Sequence, residues 1–230
     1  MLIIIGIIFM IISYAISARL KNKFRKYSRI QLTAPLSGKE IAEKMLADHN
    51  IYDVKVMSVP GELTDHYNPM NKTVNLSPEV YSGRSAAAAA IAAHECGHAI
   101  QHATAYSFLE FRSMLVPVQN ASAKILNIVV MLSIFGGFML SSAFSTELMI
   151  LIIIGCYTVL TLFSFVTLPV EFDASRRALV WIKSTGIATG EEQHMAKDAL
   201  KWAAMTYVVA AIGSLVTLLY FIMSFLGNRD

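Results

Sequence analysis

Four long apolar stretches constrain the fold of this chain more than any other feature of its sequence. They run from Leu2 to about Ala18, from about Ile125 to Phe144, from Leu148 to Leu168 and from Met205 to Leu226. About 20 helical residues cross a hydrocarbon core of about 30 Å, so each stretch can form a transmembrane helix, although the first is short. The alternative is a set of buried core helices, which the length of the stretches and their scarcity of charge disfavour.

The composition also indicates a membrane protein. Hydrophobic residues make up 55% of the 230 residues and charged residues only 15%. Soluble domains carry about 25% charged residues, so an ordinary soluble globule is excluded, as is a disordered chain. The net charge of +3 is too small to indicate a nucleic-acid partner. The lipid bilayer is therefore the first predicted partner.

Basic residues orient the predicted spans. Residues 19–118 hold twelve Lys and Arg and residues 169–204 hold five, whereas the segment before Arg19 holds none. By the positive-inside rule both segments are cytoplasmic and both chain ends face outward. A cleaved signal peptide is the alternative for the first stretch, but its basic residues would precede the apolar run rather than follow it. We therefore expect an uncleaved anchor in a multi-pass protein of the cell membrane.

The predicted organisation has five parts. They are a transmembrane anchor (1–18), a cytoplasmic domain (19–118), a transmembrane hairpin (119–168), a cytoplasmic helix (169–204), and a transmembrane helix with a short outer tail (205–230).

The larger cytoplasmic segment is predicted to be α+β. Ser37 and Glu40 form a capping-box pattern that begins a helix through about Asn50. A short strand is expected over 54–59, and the segments 63–67 and 73–76 flank a turn typical of a hairpin. An alanine-rich helix follows from Arg84 to about Ala103. The predicted fold class is a mainly α membrane protein with four transmembrane helices and this small α+β domain.

The most informative motif is His94-Glu95-Cys96-Gly97-His98 on the alanine-rich helix. Two histidines at i and i+4 share one helix face, so both imidazoles can bind one Zn²⁺ ion. Glu95 can hold the attacking water and accept its proton as general base. The composition of the chain predicts only about 0.01 accidental matches to this pattern. A helix with two surface histidines is therefore the weaker interpretation.

A catalytic zinc ion needs a third protein ligand and one open position. His102 lies one turn beyond His98, but ligands at i, i+4 and i+8 spread over about 12 Å, too far for bonds of about 2 Å. Glu171 follows the third span within three residues, on the same predicted side of the membrane. A carboxylate so close to hydrocarbon needs a partner. That partner is either zinc, which we favour, or Arg176 or Arg177 in an interfacial ion pair.

A specific resemblance is carried by four motifs: LTDHYNP at 63–69, VYSGRS at 80–85, AHECGHAIQH at 93–102 and PVEFDASRRAL at 169–179. With these motifs the chain resembles, over nearly its whole length, the bacterial membrane zinc metallopeptidases called YugP-like. More distantly it is similar to HtpX-like and CAAX prenyl proteases, in which a ligand Glu in an E-x-x-x-D motif follows a membrane hairpin. The resemblance implies a gluzincin site with Glu171 as the third ligand. Ser175 stands where those relatives have Asp, which leaves Asp173 as the candidate to replace that Asp in part.

Other residues are weaker candidates. His66 and Tyr67 lie on the strand before the active helix, and the resemblance implies that substrate adds to an edge strand there. The alternative is a hairpin that only packs on the helix. An oxyanion stabiliser is expected among a Tyr, His or Arg, and the sequence does not choose between its candidates. These are Tyr67, Tyr207, His194 and Arg176.

The sequence therefore predicts an integral-membrane zinc endopeptidase that hydrolyses peptide bonds near the cytoplasmic membrane surface. Its expected partners are peptide or membrane-protein substrates and the bilayer. The rival is a non-catalytic membrane scaffold with a structural zinc site. A structural site usually has four protein ligands, so His102, His66 or Cys96 would have to join His94, His98 and Glu171.

Overall fold

The computed structural model describes residues 1–135 and 145–227. Residues 136–144 of the predicted second span and residues 228–230 of the predicted outer tail lie outside them. The helices and strands are α1 (Leu2–Tyr27), α2 (Gly38–Asp48), β1 (Lys55–Ser58), β2 (His66–Asn68), β3 (Thr73–Leu76), α3 (Pro78–Ser82), α4 (Ala86–Ala103), α5 (Ser107–Phe135), α6 (Thr146–Thr185) and α7 (Gly190–Gly227).

Four of these helices, α1, α5, α6 and α7, are long and apolar enough to cross a membrane. This confirms the prediction of four candidate spans. Each helix is longer than the apolar run that predicted it, because the adjoining polar segment continues the same helix. Thus α5 already begins at Ser107, and α1 runs on through the basic segment to Tyr27.

The start of a second helix near Glu171 was a wrong expectation. Pro169 lies inside α6, and the helix continues through it to Thr185. Proline removes one backbone donor and favours a break, but apolar helices tolerate it where neighbouring groups satisfy the freed carbonyl. Helix α6 begins at Thr146, where the Ser145 hydroxyl accepts a hydrogen bond from the Leu148 N–H at 3.2 Å.

The chain divides into two compact units. One comprises residues 1–13, 111–168 and 207–230, and contains the apolar parts of the long helices. The other comprises residues 14–110 and 169–206, and contains the sheet, helices α2 to α4 and the polar parts of α6 and α7.

The second unit is built around a three-stranded sheet and the alanine-rich helix α4. The strand order is β1-β3-β2, with β1 parallel and β2 antiparallel to β3, so β2 is an edge strand. The predicted hairpin is confirmed, although β2 begins only at His66, since Leu63 has a positive φ of 58° that interrupts an extended strand.

The capping box that begins α2 is also confirmed. The Glu40 carboxylate accepts a hydrogen bond from the Ser37 N–H at 2.7 Å, and Ser37 Oγ accepts one from the Glu40 N–H at 3.3 Å. Alanines 86–90 at the start of α4 are buried in one apolar core with Ile41 and Met45 of α2 and Ile182 of α6. Small side chains let these helices approach closely, which fixes the position of the histidines further along α4.

Candidate metal centre

His94 and His98 lie one turn apart on α4, as the spacing predicts. Ser85 caps the helix by accepting a hydrogen bond from the Ala88 N–H at 3.2 Å. The two imidazole rings are 4.8 Å apart between centroids and nearly perpendicular, at 81°. Both side chains are half-buried. Two ring nitrogens therefore face one point beside the helix.

Glu171 of α6 reaches the same point. Its Oε2 atom lies 3.3 Å from His94 Nε2 and 3.6 Å from His98 Nε2, and only 3% of the residue is exposed. One ligand atom from each of the three residues lies within 4.8 Å of the others. Bonds of about 2 Å in a tetrahedron would hold two such ligands about 3.3 Å apart. The spacing of these atoms therefore suits a zinc ion.

The chemistry of Glu171 supports the same fit. Its buried Oε2 atom has no hydrogen-bond partner among the described residues. A buried carboxylate oxygen without a partner is costly unless a cation satisfies it. The two arginines considered as alternative partners instead bind Asp173, with Arg176 Nη2 and Arg177 Nε each 2.5 Å from its oxygens. The residues present can thus hold a zinc ion.

A glycine lets the two ligand-bearing helices meet. A Cβ atom on Gly97 would lie 2.6 Å from the Ala174 carbonyl oxygen and 3.0 Å from its Cα. Carbon atoms do not approach backbone this closely, so α4 and α6 are in contact through the bare backbone of Gly97. The close approach brings Glu171 to the histidines.

Gln101 holds the second histidine, and the sequence analysis missed it. It is fully buried, and its Nε2 donates to the Val170 carbonyl at 2.8 Å and to Asp173 Oδ2 at 3.0 Å. Its Oε1 is therefore an acceptor, 3.0 Å from His98 Nδ1. This fixes the proton of His98 on Nδ1 and leaves the Nε2 lone pair for a metal. The available signal was spacing, since Gln101 follows His98 by three residues on the same helix face.

Ser175 and Asp173 both lie next to the candidate metal ligands, but they contact different residues. Ser175 Oγ lies 3.1 Å from His94 Nδ1, so the serine contacts one of the two candidate ligand histidines. Asp173 acts one step further away by orienting Gln101.

Glu95 lies beside His94, His98 and Glu171, which together are called the metal group below, and it contacts the edge strand β2. Its Oε2 atom accepts a hydrogen bond from the Tyr67 N–H at 3.0 Å, and only 8% of Glu95 is exposed. This N–H points away from β3, so the open edge of β2 faces Glu95.

Burial alone would lower the pKa of His98, but the adjacent Glu171 and Glu95 carboxylates and the hydrogen bond to Gln101 outweigh it and raise that pKa. The site therefore attracts positive charge.

The other candidates lie outside the group formed by His94, His98 and Glu171. His102 is exposed and its Nδ1 lies 2.8 Å from the Tyr67 hydroxyl. His66 Nδ1 contacts the Thr64 carbonyl at 2.8 Å, and the buried Cys96 thiol faces the Ala42 carbonyl at 3.6 Å. Of the oxyanion candidates, Tyr67 is bound to His102 and Arg176 to Asp173. His194 is exposed on α7, and Tyr207 lies on α7 outside the unit that holds the metal group.

Comparisons with known proteins agree with this site. A family model described as "putative neutral zinc metallopeptidase" matches residues 2–226. The chain is 39% identical over 219 residues to a Bacillus subtilis (strain 168) protein named "putative membrane protease YugP". The matched region covers 95% of this chain and 94% of that protein. No solved structure gives a significant match. The matches confirm the resemblance drawn from the motifs, and the chain belongs to the neutral zinc metallopeptidase family.

Proposed function

We propose that this protein is an integral-membrane zinc endopeptidase that hydrolyses peptide bonds at the cytoplasmic surface of the membrane. One observation carries the proposal. His94, His98 and Glu171 converge on a single point, and a fourth side chain, the carboxylate of Glu95, lies beside it without joining the group. Three ligands with a neighbouring carboxylate are typical of a hydrolytic zinc site rather than a closed structural one.

The residues have separate roles in this mechanism. His94, His98 and Glu171 would hold the ion, with Gln101 and Ser175 orienting the imidazoles. When bound, zinc supplies a Lewis acid that polarises the substrate carbonyl and makes water more acidic. Glu95 takes the proton of the attacking water and returns it to the leaving amine. The Tyr67 N–H holds the Glu95 carboxylate in place before substrate binds.

Substrate would bind along the open edge of β2. The outer edge of β2 carries no strand among the described residues, and an extended peptide can add there once the Tyr67 N–H releases Glu95. In this proposal the backbone of His66 and Tyr67 aligns the peptide. The His66 side chain, exposed and bonded to Thr64, stays outside the reaction.

The expected substrates are loops and tails of membrane proteins or segments lying on the bilayer. Glu171 follows the end of the apolar run at Leu168 by three residues, about 5 Å along the helix. None of the three ligands belongs to an apolar run. A site at this depth suits cleavage beside the membrane rather than within the hydrocarbon. The excess of Lys and Arg in residues 19–118 and 169–204 supports a cytoplasmic position.

The rival function, a scaffold with a structural zinc site, requires a fourth protein ligand. Among the described residues, His102, His66 and Cys96 all have other partners and none belongs to the metal group. Burial also raises the pKa of the Cys96 thiol, which disfavours the thiolate needed for zinc binding. These contacts favour the peptidase.

The experiment compares zinc-loaded wild type with Glu95→Gln in detergent, using a mixed peptide library and mass spectrometry of the products. Glu95→Gln should retain zinc and lose cleavage about 10²- to 10⁴-fold, because it removes a general base but no ligand. Glu79→Gln, an exposed glutamate on α3, is the matched control and should cleave normally. Unchanged turnover by Glu95→Gln would refute the mechanism, and no cleavage by the wild type would favour the scaffold.

A further inference from the structure

A groove lies between α6 and α7, next to the candidate metal centre. Its volume is about 290 Å³. Its walls are mainly apolar, and the side chains that form them are Phe172, Leu179, Leu200, Ala204 and Met205. Ser175, which contacts His94 Nδ1, also lines this groove, and the proposed hydrolysis uses none of the other lining residues.

Three cations surround the groove. Lys197 and Lys201 are exposed and four residues apart on α7, so they lie on one face of the helix, and Arg176 approaches from α6. Within residues 1–135 and 145–227, no carboxylate forms an ion pair with either lysine. Like charges at this spacing repel each other, so an anion bound between the two lysines would stabilise the pair. Arg176 is bound on one side to Asp173, and 73% of its side chain is exposed.

The apolar and charged parts of the groove follow the direction of the two helices. On α6 the apolar run ends at Leu168, and Phe172 lies about 6 Å and Arg176 about 12 Å beyond it. On α7 the apolar run begins at Met205, and Lys201 lies about 6 Å and Lys197 about 12 Å before it. Phe172, Ala204 and Met205 thus form the end of the groove nearest the apolar runs. The three cations lie further along the helices, with Leu179 and Leu200 among them.

We propose that this groove binds one anionic phospholipid of the surrounding membrane. An acyl chain packs against Phe172, Ala204 and Met205, and the phosphate lies between Lys197, Lys201 and Arg176. The order of apolar and cationic groups along the helices matches the order of chain and headgroup in a lipid. An acidic peptide would match the cations but leave the apolar walls without a complement.

The test uses full-length, delipidated protein in neutral detergent, with bound lipid counted by native mass spectrometry. Dioctanoyl phosphatidylglycerol should bind at least about tenfold more tightly than dioctanoyl phosphatidylcholine, because only the former carries a net negative charge. Dihexanoyl phosphatidylglycerol should bind more weakly, and glycerol 3-phosphate should not compete. Equal binding of the two headgroups overturns the proposal. So does competition by glycerol 3-phosphate or tighter binding of a glutamate-rich peptide.

The double variant Lys197→Gln/Lys201→Gln should lose the preference for phosphatidylglycerol. The matched control is Lys55→Gln/Lys183→Gln, which removes two exposed lysines away from the groove and should keep the preference. Zinc content reports whether either variant is folded. A folded Lys197→Gln/Lys201→Gln protein that still prefers phosphatidylglycerol contradicts the proposed site.

Discussion

Replacing Gly97 with alanine should separate the two helices that carry the metal ligands. The new Cβ atom would lie 2.6 Å from the Ala174 carbonyl oxygen, and backbone cannot rotate away as a flexible side chain can. Since real Cβ contacts are essentially never under 3.0 Å and seldom under 3.4 Å, α4 and α6 must move apart by about 0.4 to 0.8 Å. Zinc sites accept ligand distances within only about 0.2 Å of the ideal. The displacement therefore exceeds what the site tolerates.

Two effects of this substitution oppose each other. Alanine is a better helix former than glycine by about 1 kcal/mol, which favours the variant. Overpacking a tight contact costs about 1 to 3 kcal/mol, which disfavours it. Because the contact involves backbone on both sides, the overpacking cost should exceed the gain. We expect a net loss of about 1 to 2 kcal/mol in the free energy of unfolding and a fall in zinc affinity of at least about tenfold.

The assay is zinc competition with a chromogenic chelator on purified protein in detergent, together with a thermal melt. Gly155→Ala is the matched control, because it lies inside α6 and its added Cβ meets nothing within 4 Å. That variant should bind zinc as the wild type does. If Gly97→Ala binds zinc with wild-type affinity, the close contact between α4 and α6 does not position the ligands, and the reasoning is wrong.

Two further predictions concern Gln101 and the orientation of the chain. Gln101→Leu should lower zinc affinity about 10- to 100-fold while the helix content stays unchanged, because His98 loses the acceptor that fixes its proton; wild-type affinity in the same chelator competition would contradict this role. A single cysteine placed at Ser145 should react with an impermeant thiol reagent added outside the cell, and one placed at Lys39 should not, because the basic residues indicate a cytoplasmic position for Lys39. Both native cysteines are buried and should give little background, and labelling at Lys39 from outside would reverse the orientation.

Local spacing predicted the parts of the site that lie on one helix. His94, Glu95 and His98 belong to a single turn of α4, so their relative positions follow from helix geometry alone. The convergence of Glu171 depends on how α4 and α6 cross at Gly97, which is a tertiary contact without a periodic signal. Gln101 could have been noticed by its spacing, but its burial and its bond to the Val170 carbonyl depend on α6 as well.

The fold shows the same division. The capping box at Ser37, the hairpin and the alanine-rich helix were predicted from short segments, because the interactions that form them are local. Strand β1 pairs in parallel with β3, although β2 lies between them in the sequence. No hairpin turn joins β1 to β3, so the sequence carries no turn signal for this pairing. The helix boundary expected near Glu171 was wrong, because the apolar run ends at Leu168 whereas the helix continues through Pro169 to Thr185.

The continuity of α6 through Pro169 has a mechanical consequence. The helix is 40 residues long, about 60 Å, and it carries both the apolar run and Glu171. A bilayer whose thickness does not match that run changes its tilt. Glu171 follows the run by three residues on the same helix, so a change of tilt reaches it through the helix backbone. Either α4 follows that movement or His94, His98 and Glu171 separate. Zinc retention in this protein should therefore depend on the thickness of the membrane.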